Sequence, residues 1–265
     1  MTETDELFWI TTDDAPMHRR CAIIPSPLPG LSAGSPFRVA DHHLTLDPDL
    51  LFEIGNPPVW VAPRTNRILD IASLPVHIHS FFSQLDLSQA KGFGNFIPQI
   101  LALTENNPTQ SKFTDPILQF SHPLIVDMAH TCLDHQLSRP PEIADKLIGL
   151  GTGLTPSGDD FLGGMLFAVH HLQAAYPDFD FTAYKLQIET YRSRTPFISF
   201  TLLKDHASGH AIEPLHRIVN DILSGGSFES ISPFVSQLTR IGHSTGWDLL
   251  TGLLTGLLIT YHNGR

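Results

Sequence analysis

Cysteine, basic side chains and uninterrupted apolar runs are all scarce in this 265-residue chain. The two cysteines, Cys21 and Cys132, lie far apart without CxxC spacing, which excludes a disulfide framework and a thiolate metal cluster. Lys and Arg number 16 against 27 Asp and Glu, a net charge of −11, and no basic stripe exists to displace counterions from a phosphate backbone. Nucleic acid is therefore not an expected partner. Charged residues make up only 16% and hydrophobic ones 42%, which excludes a disordered chain and supplies a sizeable core. The most apolar stretch, 249–261, is broken by Thr251, Gly252, Thr255 and Gly256 and falls short of the ~20 residues of a membrane span; it reads as a buried helix. The acidic start, Met1-Thr2-Glu3-Thr4-Asp5-Glu6, is unlike a secretion signal, so a cytoplasmic location is expected.

Nine of the 21 prolines fall in the first 66 residues, between short β-branched or aromatic runs at 7–12, 21–24 and 59–61. That pattern predicts short strands joined by tight turns. From about residue 115 apolar residues recur at helical spacing, over 117–137, 183–191, 197–203, 212–223 and 234–241. The expected fold class is α+β: a β-rich N-terminal portion, 1–110, packed on a C-terminal α-helical bundle, 111–265, with any ligand site in the helical core. Thr195-Pro196 and Ser232-Pro233 each read as an N-cap hydroxyl followed by proline at the first helical position. Residues 65–107 mix helical and loop signals.

The densest chemical signal is Gly149-Leu150-Gly151-Thr152-Gly153-Leu154-Thr155-Pro156-Ser157-Gly158-Asp159-Asp160, followed by an apolar run. A glycine-rich loop feeding a helix start offers backbone N–H groups and a positive dipole end to an anion. The spacing of Gly153 and Gly158 matches a P-loop, but Asp159 stands where the phosphate-binding lysine belongs, which argues against a simple NTPase. Asp159 and Asp160 also fit the plainer role of complementing the helix dipole. The segment repeats: residues 157–166 align without gaps on 245–254, both reading hydroxyl-Gly-x-Asp-x-Leu-x-Gly-x-Leu apart from Met/Leu-type swaps. Asp160 then matches Asp248, Gly164 matches Gly252, and His243 falls opposite Thr155. This predicts two equivalent loop-to-helix junctions whose helices cross at Gly164 and Gly252, bringing both helix starts to one pocket. Chance similarity between two apolar helix openings is the competing explanation.

Arg192 and Arg194, just before a helix start, suit a carboxylate or phosphate, or are surface charges at a turn. His77-x-His79 would share one face of a strand, but no third ligand accompanies the pair, so no metal site is expected there. Ser157 lacks the preceding glycine of a nucleophile elbow, which disfavours serine-hydrolase chemistry.

The string Gly151-x-Gly153-Leu154-Thr155-Pro156-Ser157-Gly158-Asp159-Asp160, then Arg194-Thr195 and Ser199, then Gly242-His243-Ser244-Thr245-Gly246-Trp247-Asp248, resembles the AllH-type family. The resemblance is strongest over about 145–262, with a weaker match around 44–63. It implies a subunit of the oxamate carbamoyltransferase of anaerobic allantoin breakdown, a branch of purine catabolism. With two partner subunits, such an enzyme converts oxalurate and phosphate to oxamate and carbamoyl phosphate. The resemblance brings no catalytic assignment, so residue roles follow from chemistry. Gly153, Thr155, Ser157 and Gly158 would hold a phosphate, with Asp159, Ser244 and Gly246 lining the same site and Arg194 neutralising phosphate or carboxylate. Asp160 and Asp248 would orient the amide or carbamoyl nitrogen, and His243 would be the general acid/base. The expected ligand is a small anionic substrate, without a cofactor; Mg²⁺ at Asp159, Asp160 and Asp248 is the alternative. A non-catalytic anion-binding or assembly subunit of a multi-subunit enzyme is the competing class, and a Mg-assisted carboxylase or transferase the third.

Overall fold

The computed structural model describes residues 6–11, 15–24, 34–40, 42–46, 50–54, 56–64, 68–105, 107, 112–136, 142–176 and 181–261. The chain divides into two compact units, Met1–Val61 and Ala62–Arg265. In the first, β1 (Trp9–Thr11) and β2 (Cys21–Ile23) pair in parallel, at two of the three predicted strand positions. The third, 59–61, is not a strand. A meander that the proline pattern did not reveal follows: β3 (Phe37–Ala40), β4 (His43–Leu46) and β5 (Leu50–Glu53), antiparallel in that order. The alternation expected of a half-buried strand holds on β4, where Leu44 and Leu46 are buried opposite Phe52 and Leu50.

The second unit is helical: α1 (Leu74–Ser83), a 3-10 segment (Gly92–Phe96), α2 (Ile97–Thr104), α3 (Pro116–Leu133), α4 (Glu142–Leu147), α5 (Ser157–Ala175), α6 (Thr182–Ile188), α7 (Phe197–Ala207), α8 (Glu213–Ser224), α9 (Phe228–Thr239) and α10 (Thr245–Leu257). Small sheets followed by a helical body make the fold α+β. The position 110/111 falls inside this helical unit, between α2 and α3, which touch each other. Residues 1–110 therefore hold two helices as well as the strands.

The two proline-marked helix starts turn out differently. At the first, α7 begins at Phe197 with Pro196 in the cap position, while the Thr195 hydroxyl turns to Asp159 instead of capping. The second is not a start. Helix α9 opens at Phe228 under Ser227, whose side chain accepts from the Ser230 N–H, and Pro233 lies inside it. Pro233 has no N–H for the Glu229 carbonyl, and the Ser232 hydroxyl donates to that oxygen instead (3.2 Å). His77 and His79 lie on α1, where residues two apart diverge, and His79 faces Glu105 at 3.4 Å. Among the described residues no group of three or more His, Cys, Asp or Glu could hold a metal, and no helix is long and apolar enough to cross a membrane.

The core is organised around α5 and α10. From Thr251 to Leu257 every residue of α10 is buried, as expected of a helix apolar on all sides. Its buried threonines satisfy themselves: the Thr251 and Thr255 hydroxyls donate to the Trp247 and Thr251 carbonyls at 2.8 and 2.9 Å. The contact between α5 and α10 is the most extensive in the unit, and glycine makes it possible. A Cβ on Gly164 would strike the Leu249 carbonyl oxygen and lie 3.0 Å from the Leu253 nitrogen; one on Gly252 would strike the Phe161 carbonyl oxygen and lie 2.9 Å from the Met165 nitrogen. Under the alignment of the two segments these contacts are mirror equivalents.

Candidate functional site

The two junctions ahead of α5 and α10 are built alike. In each, the residue that ends the preceding helical turn, Leu147 or Leu238, accepts from an N–H three positions on, that of Leu150 (2.9 Å) or Ile241 (3.0 Å). The chain then loops back. The Gly158 N–H donates to the Leu150 carbonyl (2.9 Å) and the Gly246 N–H to the Ile241 carbonyl (3.3 Å). Those glycines press on the carbonyls of Leu147 and Leu238, leaving no room for a side chain. The first loop is longer, and its extra residues, 152–154, are exposed, with Leu154 66% exposed.

The junctions lie side by side. The Thr155 and Thr245 hydroxyls are 3.0 Å apart, and those of Ser157 and Ser244 are 3.4 Å apart; all four are half-buried. Beneath them lie Asp160, 5% exposed, and Asp248, 0% exposed. The hydrogen bonding is reciprocal. Asp160 on α5 is bonded to the hydroxyl of Thr245 at the head of α10, and to Thr155 in its own loop. Asp248 on α10 is bonded to the hydroxyl of Ser157 at the head of α5, and to Ser244 in its own loop. Asp248 also receives the Phe93 N–H at 2.7 Å, from the 3-10 segment lying across α10. That approach depends on Gly92, at φ +51°, whose Cβ would run into Asp248 Oδ1 and lie 2.6 Å from Ser244 Cβ.

Burial sets the electrostatics, and among the described residues no ion pair involves either acid. Burial, then the negative charge of Asp248, raise Asp160 well above the ordinary carboxylate range, against the opposing hydroxyls of Thr245 and Thr155. Burial raises Asp248 to about 7, against the Phe93 N–H and the Ser157 and Ser244 hydroxyls. Both acids are therefore harder to ionise than an ordinary carboxyl group. Asp160 Oδ2 and Asp248 Oδ2 are both buried with no hydrogen-bond partner.

The other expected site residues have separate placements. Asp159 belongs to a different network: its Oδ1 accepts the Gly149 N–H (2.7 Å), and its Oδ2 accepts the hydroxyls of Ser199 (2.6 Å) and Thr195. It ties the glycine loop to α7. Replacing it with alanine strands three donors and is expected to cost about 2 kcal/mol in chemical unfolding. Arg194 is paired with Asp145 at 3.1 Å and covers the Tyr191 ring at 5.4 Å. Arg192 lies over Phe197 and Phe200, at 5.9 and 6.0 Å. His243 is exposed on the loop before α10, and Gly153 is exposed with open space where a side chain would go. The N–H groups of Gly158 and Gly246 are held by loop carbonyls, which removes them from an anion cradle. The 3-10 segment at 92–96 was missed in the sequence; its Gly-Phe-Gly-Asn-Phe run, two glycines among aromatics, is the signal that marks a close backbone approach.

Fold and site together define a helical unit with an internally duplicated loop-and-helix element, closed over a buried pair of carboxyl groups. Within it, residues 147–257, less than half of the chain, match the family model described as oxamate carbamoyltransferase subunit AllH. The match bears out the resemblance carried by the glycine, hydroxyl and aspartate strings, and both junctions fall inside it. The family is thus one of carbamoyltransferase subunits, a description that entails other subunits. No solved structure matches the chain.

Proposed function

We propose that this chain is a subunit of a carbamoyltransferase that interconverts oxalurate and phosphate with oxamate and carbamoyl phosphate, and that the paired junctions hold the reacting group. The observation that carries the reading is the reciprocal bonding of Asp160 and Asp248 to hydroxyls of the opposite junction, inside the family-matched region. The half-buried hydroxyls of Thr155, Ser157, Ser244 and Thr245 meet the substrate, and the acids beneath them set where the hydroxyl protons point. A hydroxyl that donates inward presents lone pairs outward, suited to the N–H groups of an amide or ureido group. A hydroxyl that receives a proton from a neutral carboxyl donates outward to a carbonyl oxygen. In the reaction a phosphate oxygen bonds to the ureido carbon, the bond from that carbon to the oxamate nitrogen breaks, and the nitrogen gains a proton. We assign that proton to His243, exposed beside Ser244. Arg194, engaged by Asp145, is left out of this scheme.

The test uses the complete complex with its partner subunits. Asp160→Ala or Asp248→Ala is expected to abolish turnover, and Ser157→Ala and Thr245→Val to lower kcat/KM by about 10–100-fold, with circular dichroism unchanged. Undiminished turnover in all four would remove the site from the reaction. A second reading, a non-catalytic assembly subunit, draws on the burial of the unpaired carboxyl oxygens and on the inward use of the Gly158 and Gly246 N–H groups. Calorimetric titration of the chain with phosphate, carbamoyl phosphate and oxamate separates the two. Heat from any of them supports the first, and silence with all three supports the second.

A further inference from the structure

Two carboxyl groups buried against each other need either protons or a positive charge, and among the described residues no ion pair supplies one. The ion pairs among the described residues join His79 to Glu105, Arg194 to Asp145, Lys204 to Glu189 and Arg217 to Glu213; none involves Asp160 or Asp248. Asp248 accepts the Phe93 N–H on Oδ1, and Oδ2 of each acid is buried without a hydrogen-bond partner. In nine cases of ten or more a buried polar atom has a partner, so two orphans at one spot mark a place built for something else. The surrounding side-chain donors are all oxygen: the hydroxyls of Thr155 and Thr245 on Asp160, and of Ser157 and Ser244 on Asp248.

We propose that Asp160 and Asp248, with the hydroxyls of Thr155, Ser157, Ser244 and Thr245, form a site for one hard divalent cation of the Mg²⁺ class. An all-oxygen set with only two carboxylates suits Mg²⁺, which is usually bound through one or two carboxylates and keeps several waters, better than zinc or copper, which favour nitrogen and sulfur. The geometry narrows the alternative Mg²⁺ set of three acids to two, since both oxygens of Asp159 are occupied by the Gly149 N–H and by the Ser199 and Thr195 hydroxyls. Burial, which raises the proton affinity of both acids, and the charge of Asp248, which further raises that of Asp160, are the forces that a doubly charged ion between them reverses. A cation there also removes an obstacle to any anionic substrate, which two bare carboxylates would repel. The inference concerns the chain alone with a metal, and stands or falls separately from carbamoyl transfer.

Mn²⁺ is the probe, because its free form gives a sharp paramagnetic resonance signal that binding removes. With the full chain stripped by chelator and dialysed at pH 8, one Mn²⁺ is expected to bind per chain and to be displaced by Mg²⁺. In Asp160→Asn and in Asp248→Asn, near-isosteric changes whose folding circular dichroism checks, affinity should fall by about a hundredfold. Absence of bound Mn²⁺ at millimolar concentration on the folded wild-type chain overturns the proposal. So does binding at wild-type affinity in either Asn variant.

Discussion

Gly252→Ala is expected to lower the stability of the helical unit by about 3 kcal/mol, near the top of the range for overpacking a core. Ordinary overpacking presses a new methyl group on side chains that can change rotamer. Here the obstacle is the Phe161 carbonyl oxygen, part of the α5 backbone, with the Met165 nitrogen 2.9 Å away. Relief requires the two central helices to move apart, which loosens the contact along its whole length. In thermal unfolding this is a drop of about 6–12 °C for a unit of this size. Gly164→Ala should behave the same way, against the Leu249 carbonyl. The double variant should fall well short of the summed losses, because helices already spread by one methyl group accept the second at lower cost. Additive losses would mean that the two glycines act at independent places.

Asp248→Asn is expected to do the opposite at neutral pH and raise stability. The sign follows from linkage. In the unfolded chain Asp248 ionises in the ordinary carboxylate range, whereas in the fold burial holds it at about 7. Between these values the folded state binds more protons than the unfolded state, so stability declines as pH rises through the window and levels off above it. The decline is on the order of a few kcal/mol, at about 1.4 kcal/mol for each unit of displacement. An amide does not titrate, and its oxygen still accepts the Phe93 N–H. In chelator, the difference in melting temperature between the variant and the wild type should grow from pH 4 to pH 7 in the variant's favour. A constant difference across that range would show that Asp248 is not held protonated by its surroundings. Stability given up at one buried acid is a common mark of a site kept for function.

What could be read in the chain, and what could not, divides along physical lines. The crossing of α5 and α10 was legible because Gly164 and Gly252 sit at matched places in two apolar segments, and a glycine repeated on a buried helix face has few uses besides close approach. The convergence of Asp160 and Asp248 followed from the same match. The role of Asp159 was not legible: adjacent acids at a helix start look alike in sequence, and only the fold shows that one faces Ser199 and Thr195 while the other faces Thr245. Arg194 looked free for an anion because its partner, Asp145, lies on α4, far enough back in the chain that no local pattern links them. Ser232-Pro233 misled because a serine hydroxyl can stand in for the N–H that proline lacks, letting a helix run through a residue that usually opens one. Strands β3 to β5 escaped because Phe-Arg-Val-Ala, His-Leu-Thr-Leu and Leu-Leu-Phe-Glu lack the continuous β-branched or aromatic runs that marked β1 and β2.

The two halves of the site are near copies, but their surroundings are not. The Phe93 N–H reaches Asp248 and has no counterpart at Asp160 among the described residues, while the longer loop at 152–154 stands only on the α5 side. A perfectly balanced frame would accept a guest with unlike ends in either of two orientations, half of them unproductive. The added amide at one end and the added loop at the other give this frame a polarity, so that its two ends are chemically unlike.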